Sequence, residues 1–236
     1  PVSEIRFGIL TLGESWIRLL KPANVGFKTE KYLESKFKPL ADKTAYLVAG
    51  NVKPDKTLAK WVLALKKDES LEVNGRWIAQ LGSGKKTIRK TKPDLLYLEK
   101  PWDIFQKNGA AIGLDFELLT KGRKSQALDK SNRSLKSSRI FIEKGAKVHF
   151  SILNASEGPI YIGKDAEIME GSVIRGPFAL GEGAVVKMGT RIYGATTIGP
   201  QCVAGGEIKN SILFECSNKG HDGYLGDSVL AGWCNL

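Results

Sequence analysis

The sequence predicts an α/β domain followed by a left-handed parallel β-helix of hexapeptide repeats, and three observations carry that prediction. The first is a period of six. Ile162, Ile168, Ile174, Leu180, Val186, Ile192 and Ile198 are aliphatic without a miss. The second is a companion row two positions before each next aliphatic: Ala166, Ser172, Phe178, Ala184, Thr190, Thr196 and Cys202, mostly small. The third is the glycine spacing. Gly163, Gly181 and Gly199 stand eighteen apart, as do Gly171 and Gly189, and Gly176 and Gly194. A period of six fits neither an amphipathic helix nor an alternating strand. It fits a coil of three flat faces, each turning one aliphatic side chain inward, with glycine at the corners.

The register extends in both directions. Ile142 and Val148 are six apart, and fourteen residues separate Val148 from Ile162. Fourteen also separate Ile198 from Ile212, after which Ile212, Asn218, Tyr224, Leu230 and Leu236 are expected to face inward. A two-residue excess at each slip suggests a bulge or small loop at a corner. Leu236 is still in phase and carries no polar cap, so further coils or another subunit are expected to cover it.

Ahead of the repeats the pattern alternates. Glu4 to Leu10 reads as a strand, Glu14 to Leu20 as a short helix ended by Pro22, and Tyr32 to Phe37 as helical. Thr44 to Val52 reads as a strand. Pro54 opens a helix with Leu58, Trp61, Val62 and Leu65 on one face. Leu71 to Leu81, broken at Asn74-Gly75, reads as a hairpin. Gly82-Ser83-Gly84-Lys85-Lys86 lacks the spacing of a phosphate loop and reads as an ordinary loop. Pro101 starts a further helix with Trp102, Phe105, Ile112, Phe116 and Leu119 near one face, weakened by Gly109 and Gly113. Lys121 to Ser138 is polar and reads as a linker. The expected organisation is an α/β domain over 1–99, a helical arm and linker over 100–139, and the β-helix over 140–236.

Charge is unevenly placed. The net charge is +11, yet residues 161–236 hold six Lys/Arg against eight Asp/Glu, and residues 1–160 hold thirty against seventeen. The basic stretch from Lys85 to Arg139 has little aromatic interleaving and no nucleic-acid recognition motif. It reads first as a solvated surface, then as an attractor of phosphorylated small molecules, with nucleic acid the weaker partner. No run approaches a membrane span, and no signal-peptide pattern is read in the first residues given, so export is not expected. Cys202, Cys216 and Cys234 are scattered and odd in number, as expected of reduced thiols in the cytoplasm.

Only two histidines exist, His149 and His221. With no Cys pair or spaced His cluster, no metal site is expected. His149 follows inward Val148 and should lie on the surface. His221 lies in Ser217-Asn218-Lys219-Gly220-His221-Asp222-Gly223-Tyr224-Leu225-Gly226-Asp227, a polar passage that interrupts the coil pattern. An imidazole there suits a base that takes a proton from an attacking amine, or a corner residue satisfied by backbone.

EIRFGILT, KPWDIFQKNGAAI, DFELLTKGRKSQ, GPIYIGKDAEIMEGSVIRGPFALGEGA and SNKGHDGYLGD together give the chain a resemblance to a known family. It resembles the bifunctional N-acetylglucosamine-1-phosphate uridylyltransferase/glucosamine-1-phosphate acetyltransferases, in the divergent form found in Bacteroidetes-type bacteria. The resemblance implies a nucleotidyltransferase-like first domain and a trimeric acetyltransferase β-helix, where acetyl-CoA and sugar phosphate meet between neighbouring subunits. It implies His221 as the general base acting on the sugar amine, Arg191 and Lys209 as the grip on the sugar phosphate, and Tyr224 and Asn235 as sugar contacts. Glu207 is expected to orient Lys209 or to stand as a corner carboxylate. UTP and Mg2+ would belong to the nucleotidyltransferase half. The glycine-rich loop with Arg and Pro-Lys that opens classical uridylyltransferases has no match here, so nucleotide transfer by this chain is not expected. The rival expectations are a sugar-phosphate nucleotidyltransferase whose β-helix only trimerises or regulates, and a non-catalytic trimeric scaffold.

Overall fold

A computed structural model describes residues 1–40 and 45–236. The chain forms two compact units. The first comprises residues 1–5 and 10–99, and the second residues 6–9 and 100–236.

In the first unit, helix α1 (Leu12–Leu20) begins at a reciprocal cap. The Glu14 amide donates to Thr11 Oγ1 at 3.1 Å, and the Thr11 amide donates to Glu14 Oε2 at 2.7 Å. Strands β1 (Tyr46–Val48) and β2 (Val52–Lys53) follow; Thr44, the start of the expected strand, lies outside the described residues. Helix α2 (Lys56–Leu63) starts at Asp55, whose carboxylate accepts from the Leu58 amide. As its sequence pattern predicts, Leu58, Val62 and Leu65 are buried, with Trp61 packed beside them. Strands β3 (Glu69–Val73) and β4 (Arg76–Leu81) form the hairpin over Asn74-Gly75, both at positive φ as a two-residue turn requires. With β5 (Lys86–Lys90) they make a sheet of order β1-β4-β3-β5, and β6 (Leu96–Tyr97) pairs with β2. The expected helix at Tyr32 to Phe37 is a single 3-10 turn, Lys31–Leu33. The Gly82–Lys86 loop is closed on Asp68, which accepts from the Ser83 amide and hydroxyl at 2.9 and 2.6 Å. Its backbone is thus engaged by a carboxylate.

The second unit is the parallel β-helix with helices α3 (Asp103–Gln106) and α4 (Asn108–Thr120). Three parallel sheets form its faces. Sheet A stacks Arg133–Leu135, Ile152–Asn154, Val173–Arg175, Arg191–Tyr193, Glu207–Lys209 and Tyr224–Gly226. Sheet B stacks Ile140–Ile142, Ile160–Ile162, Phe178–Leu180, Thr196–Ile198, Ile212–Leu213 and Val229–Leu230. Sheet C stacks Lys147–Val148, Glu167–Ile168, Val185–Val186, Val203–Ala204 and Asn218–Lys219.

Both predicted rows are in the core. All seven aliphatics from Ile162 to Ile198 are at most 1 % exposed, and Ala166, Ser172, Phe178, Ala184, Thr190, Thr196 and Cys202 are fully buried. Burial pushes the Cys202 thiol up to about 11, which leaves it an inert packing group. The glycine spacing has a more specific cause than corner geometry. Gly163, Gly181 and Gly199 do not need positive φ; a side chain at Gly163 would meet the Gly181 backbone at 2.7 Å, and one at Gly181 would meet Pro200 N at 2.4 Å. Close stacking of coil on coil excludes a Cβ there.

Further expectations are corrected. The first is the register after Ile198. Sheet B pairs Ile198 with Leu213, not Ile212, and Leu213 pairs with Leu230. The coil there is short, stepping Ile198, Ala204, Ile208, Leu213 around the three faces. Asn218 and Tyr224 therefore do not point inward; Lys219 and Leu225 take those places, paired with Ala204 and Ile208. Leu230 remains in the core, and Leu236, though in register, is 60 % exposed.

The second concerns Glu4 to Leu10, which forms no strand. Residues 6–9 lie against α4, whose Asn108 accepts from the Gly8 amide at 2.9 Å and whose Asp115 accepts from the Ile9 amide at 2.8 Å. Both side chains are buried. They satisfy backbone donors that a neighbouring strand would otherwise have to accept. Gly8 is obligatory: its φ is +91°, and a Cβ would stand 2.8 Å from the Ala111 backbone. Asn108 also donates to Ala195 O and Thr197 Oγ1, which fastens α4 to sheet B. The helix expected from Pro101 is broken at Lys107 between α3 and α4.

The third correction is the linker. Residues 121–138 already contain the first strand of sheet A, and they cap the first coil. Gln126 donates to Ala146 O and accepts from the Gly145 amide; Asn132 donates to Val148 O and accepts from the Ser151 amide. These bonds satisfy backbone groups at the open end of a solenoid.

Candidate functional site on one face of the β-helix

On sheet A the middle residue of each strand points into the core and its two neighbours point out. Ile192, Ile208 and Leu225 are the inward residues of the last three strands, so Arg191, Tyr193, Glu207, Lys209 and Tyr224 share the outer face. The register places Arg191, Glu207 and Tyr224 in one row, and Tyr193, Lys209 and Gly226 in the next. Neighbouring rows and strands lie roughly 5–7 Å apart. Gly226 has a purpose in this arrangement: its missing side chain leaves the space over which the Tyr224 phenol folds toward the Lys209 row.

The polar groups of this face are sorted by Glu207. Its carboxylate accepts from the Tyr193 hydroxyl at 2.7 Å and stands 3.5 Å from Arg191 Nη2. The hydrogen bond to Glu207 holds the Tyr193 phenol above its usual range. Of the two expectations for Glu207, the orienting of Lys209 is not what the geometry gives: its carboxylate faces Tyr193 and Arg191. Among the described residues, Lys209 Nζ has no side-chain partner, which leaves an exposed ammonium one strand from an exposed guanidinium. Tyr193 is a member of this face that sequence reasoning missed; its signal was its place flanking inward Ile192 opposite Arg191.

His221 is exposed at the corner where the chain leaves sheet C and enters the Tyr224 strand of sheet A. The structure thus brings Arg191, Lys209, Tyr224 and the His221 corner to one edge of the β-helix. Asn235 falls elsewhere: it pairs with Asn218 on the sheet C side of that corner. His149 is on the surface, with Nδ1 3.8 Å from Asp129.

Among the described residues no cluster of three or more His, Cys, Asp or Glu side chains is arranged to hold a metal ion. Nor is any described helix long and apolar enough to cross a membrane. In the first unit a groove of about 790 Å³ is lined by Lys28, Asn51, Arg76 and Trp77 among others, with the Arg76 guanidinium 3.8 Å over the Tyr97 ring.

No curated protein matches the sequence. Residues 1–124, just over half of the chain, match the sugar nucleotidyl transferase family, a span that contains the whole α/β unit together with α3 and α4. On that match the chain belongs to the sugar nucleotidyl transferases, and it is a transferase by family.

Proposed function

We propose that the β-helix transfers the acetyl group of acetyl-CoA to the 2-amine of glucosamine-1-phosphate, a step toward UDP-N-acetylglucosamine. The observation that carries this reading is the face built by Arg191, Lys209, Tyr193 and Tyr224 beside His221. Two cations on adjacent strands suit a phosphate dianion, and the phenols suit sugar hydroxyls. The Arg191–Glu207 contact is long and exposed, so a phosphate can replace it at little cost. With the phosphate held, the amine is presented toward the corner. The His221 imidazole accepts a proton as the nitrogen attacks the thioester carbonyl; the N–C bond forms, the C–S bond breaks, and coenzyme A leaves as thiol. Both substrates are cytoplasmic metabolites, and the cytoplasm is where we place the protein.

We take the assembly to be a trimer. The β-helix offers flat faces, and Phe150, Ile152, Val173 and Met188 are exposed along sheet A and the corner that leads to His221. An apolar strip of this kind marks a contact surface, and closed threefold symmetry would cover it in every subunit. Light scattering at micromolar concentration should give three times the monomer mass; a monomer mass would contradict both the assembly and a site shared between subunits.

The family match favours a second reading, in which the protein is a sugar-phosphate nucleotidyltransferase and the β-helix only assembles it. The groove beside Arg76 and Trp77 would then take the nucleotide. Substitution on the β-helix separates the two readings. Arg191→Ala or Lys209→Ala removes a charged phosphate partner worth about 1.5–3 kcal/mol, so the KM for glucosamine-1-phosphate should rise roughly 10- to 150-fold with turnover changed less. An unchanged KM in both variants would favour the second reading.

A further inference from the structure

Lys219 occupies a core position of the β-helix. Sheet C turns Ile168, Val186, Ala204 and then Lys219 inward, and Lys219 is only 7 % exposed. An ammonium in an aliphatic row is costly unless its donors are satisfied. Here no carboxylate pairs with it among the described residues. Its partners are two backbone oxygens: Lys219 Nζ donates to Gly205 O at 3.1 Å and to His221 O at 2.5 Å. Ala204, the residue beneath it, is small and leaves room for the stem.

That second bond is the only hydrogen bond His221 makes among the described residues. The imidazole is exposed, and among the described residues it has no side-chain partner to aim it. The backbone of an isolated glycine-flanked corner, Gly220 to Gly223, would not hold a base in place by itself. From these observations we infer that Lys219 is a positioning residue: from inside the coil it ties the carbonyl of His221 to the carbonyl of Gly205 in the coil beneath, and so fixes where the imidazole stands. This inference rests on the reading of His221 as the base. An apolar residue at 219 would pack the row at least as well, and the lysine is explained by what it holds.

The test is steady-state kinetics of the full-length protein with acetyl-CoA and glucosamine-1-phosphate, expressed per folded subunit. Lys219→Met keeps the volume and removes the donors. Its kcat should fall roughly 10- to 100-fold, because an ångström of misplacement at a reacting group costs about that much. The KM for the sugar phosphate should stay within about twofold, since Arg191 and Lys209 stand on other strands. Val186→Ala, a cavity in the same row two coils away, is the control for destabilisation alone and should keep wild-type turnover. Lys219→Gln, whose amide sits on a shorter stem, serves if the methionine variant does not fold; it cannot span both oxygens and should lose at least about fivefold in kcat. Retained turnover in the folded Lys219 variant, a tenfold rise in KM, or an equal loss in Val186→Ala overturns the inference. His221→Ala is measured alongside. If it is inactive while the Lys219 variant is active, only the role of Lys219 fails; if His221→Ala is itself fully active, the reading of the site fails and the role of Lys219 with it.

Discussion

His221→Ala should lower the turnover of acetyl transfer by roughly 100- to 10,000-fold, the usual cost of deleting a general base, or about 3–5 kcal/mol of transition-state stabilisation. The KM for glucosamine-1-phosphate should barely change. In the proposed reaction the two effects separate because the imidazole would interact with a proton that moves only as the amine attacks, whereas Arg191 and Lys209 would hold the phosphate before and during the reaction alike. Among the described residues His221 makes no hydrogen bond through its side chain, so its removal should leave no buried group unpaired and hardly affect stability. Thermal melting of the variant should match wild type within a degree or two, which separates a catalytic loss from a folding one. Near-wild-type turnover would return the β-helix to the role of an assembly scaffold.

Gly181→Ala should be the most damaging single methyl group in the β-helix. The added carbon would stand 2.4 Å from Pro200 N and 2.6 Å from the Gly199 carbonyl carbon. Those atoms belong to the next coil, whose Gly181 N to Ile198 O hydrogen bond at 2.7 Å fixes the spacing. Nothing at the far end of a flexible chain can yield; backbone must move, and it carries the ladder with it. We expect a loss of about 3 kcal/mol, the upper end for overpacking. For a protein of this size that is a fall in Tm of roughly 6–12 °C. Gly113→Ala in α4 is the contrasting case: among the described residues nothing beyond its own stretch of helix lies within 4 Å of an added Cβ, and the change should stabilise by about 0.4–1 kcal/mol. Equal melting temperatures for the Gly181 variant and wild type would contradict the stacking account.

The β-helix was legible because a flat-faced coil imposes a period that no helix or hairpin shares, and each of the seven aliphatics from Ile162 to Ile198 obeys it. Legibility ended where the coil length changed. Between Ile198 and Leu213 the chain steps six, four and five residues, and two adjacent aliphatics, Ile212 and Leu213, offer themselves for one inward place. A single-residue error there exchanges inside for outside, as it does for any strand. It concealed Lys219 behind Asn218 and turned Tyr224 inward on paper while the chain turns it out. The candidate residues Arg191, Lys209, Tyr224 and His221 do not rest on that register, because the resemblance implies them residue by residue. Tyr193 went unnoticed because its role depends on Glu207 in the neighbouring coil, a contact no linear spacing reveals. The N-terminal strand failed for a related reason. Residues 6–9 have strand-like composition, but the Gly8 and Ile9 amides are accepted by Asn108 and Asp115, 100 and 106 residues away.

If the β-helix is an acetyltransferase site, as proposed, it must release free thiol from acetyl-CoA. Full-length protein with acetyl-CoA and glucosamine-1-phosphate should release coenzyme A continuously, at a rate that needs both substrates and disappears in His221→Ala. Thiol release no faster than the background hydrolysis of acetyl-CoA, from folded protein at saturating concentrations of both substrates, would contradict it.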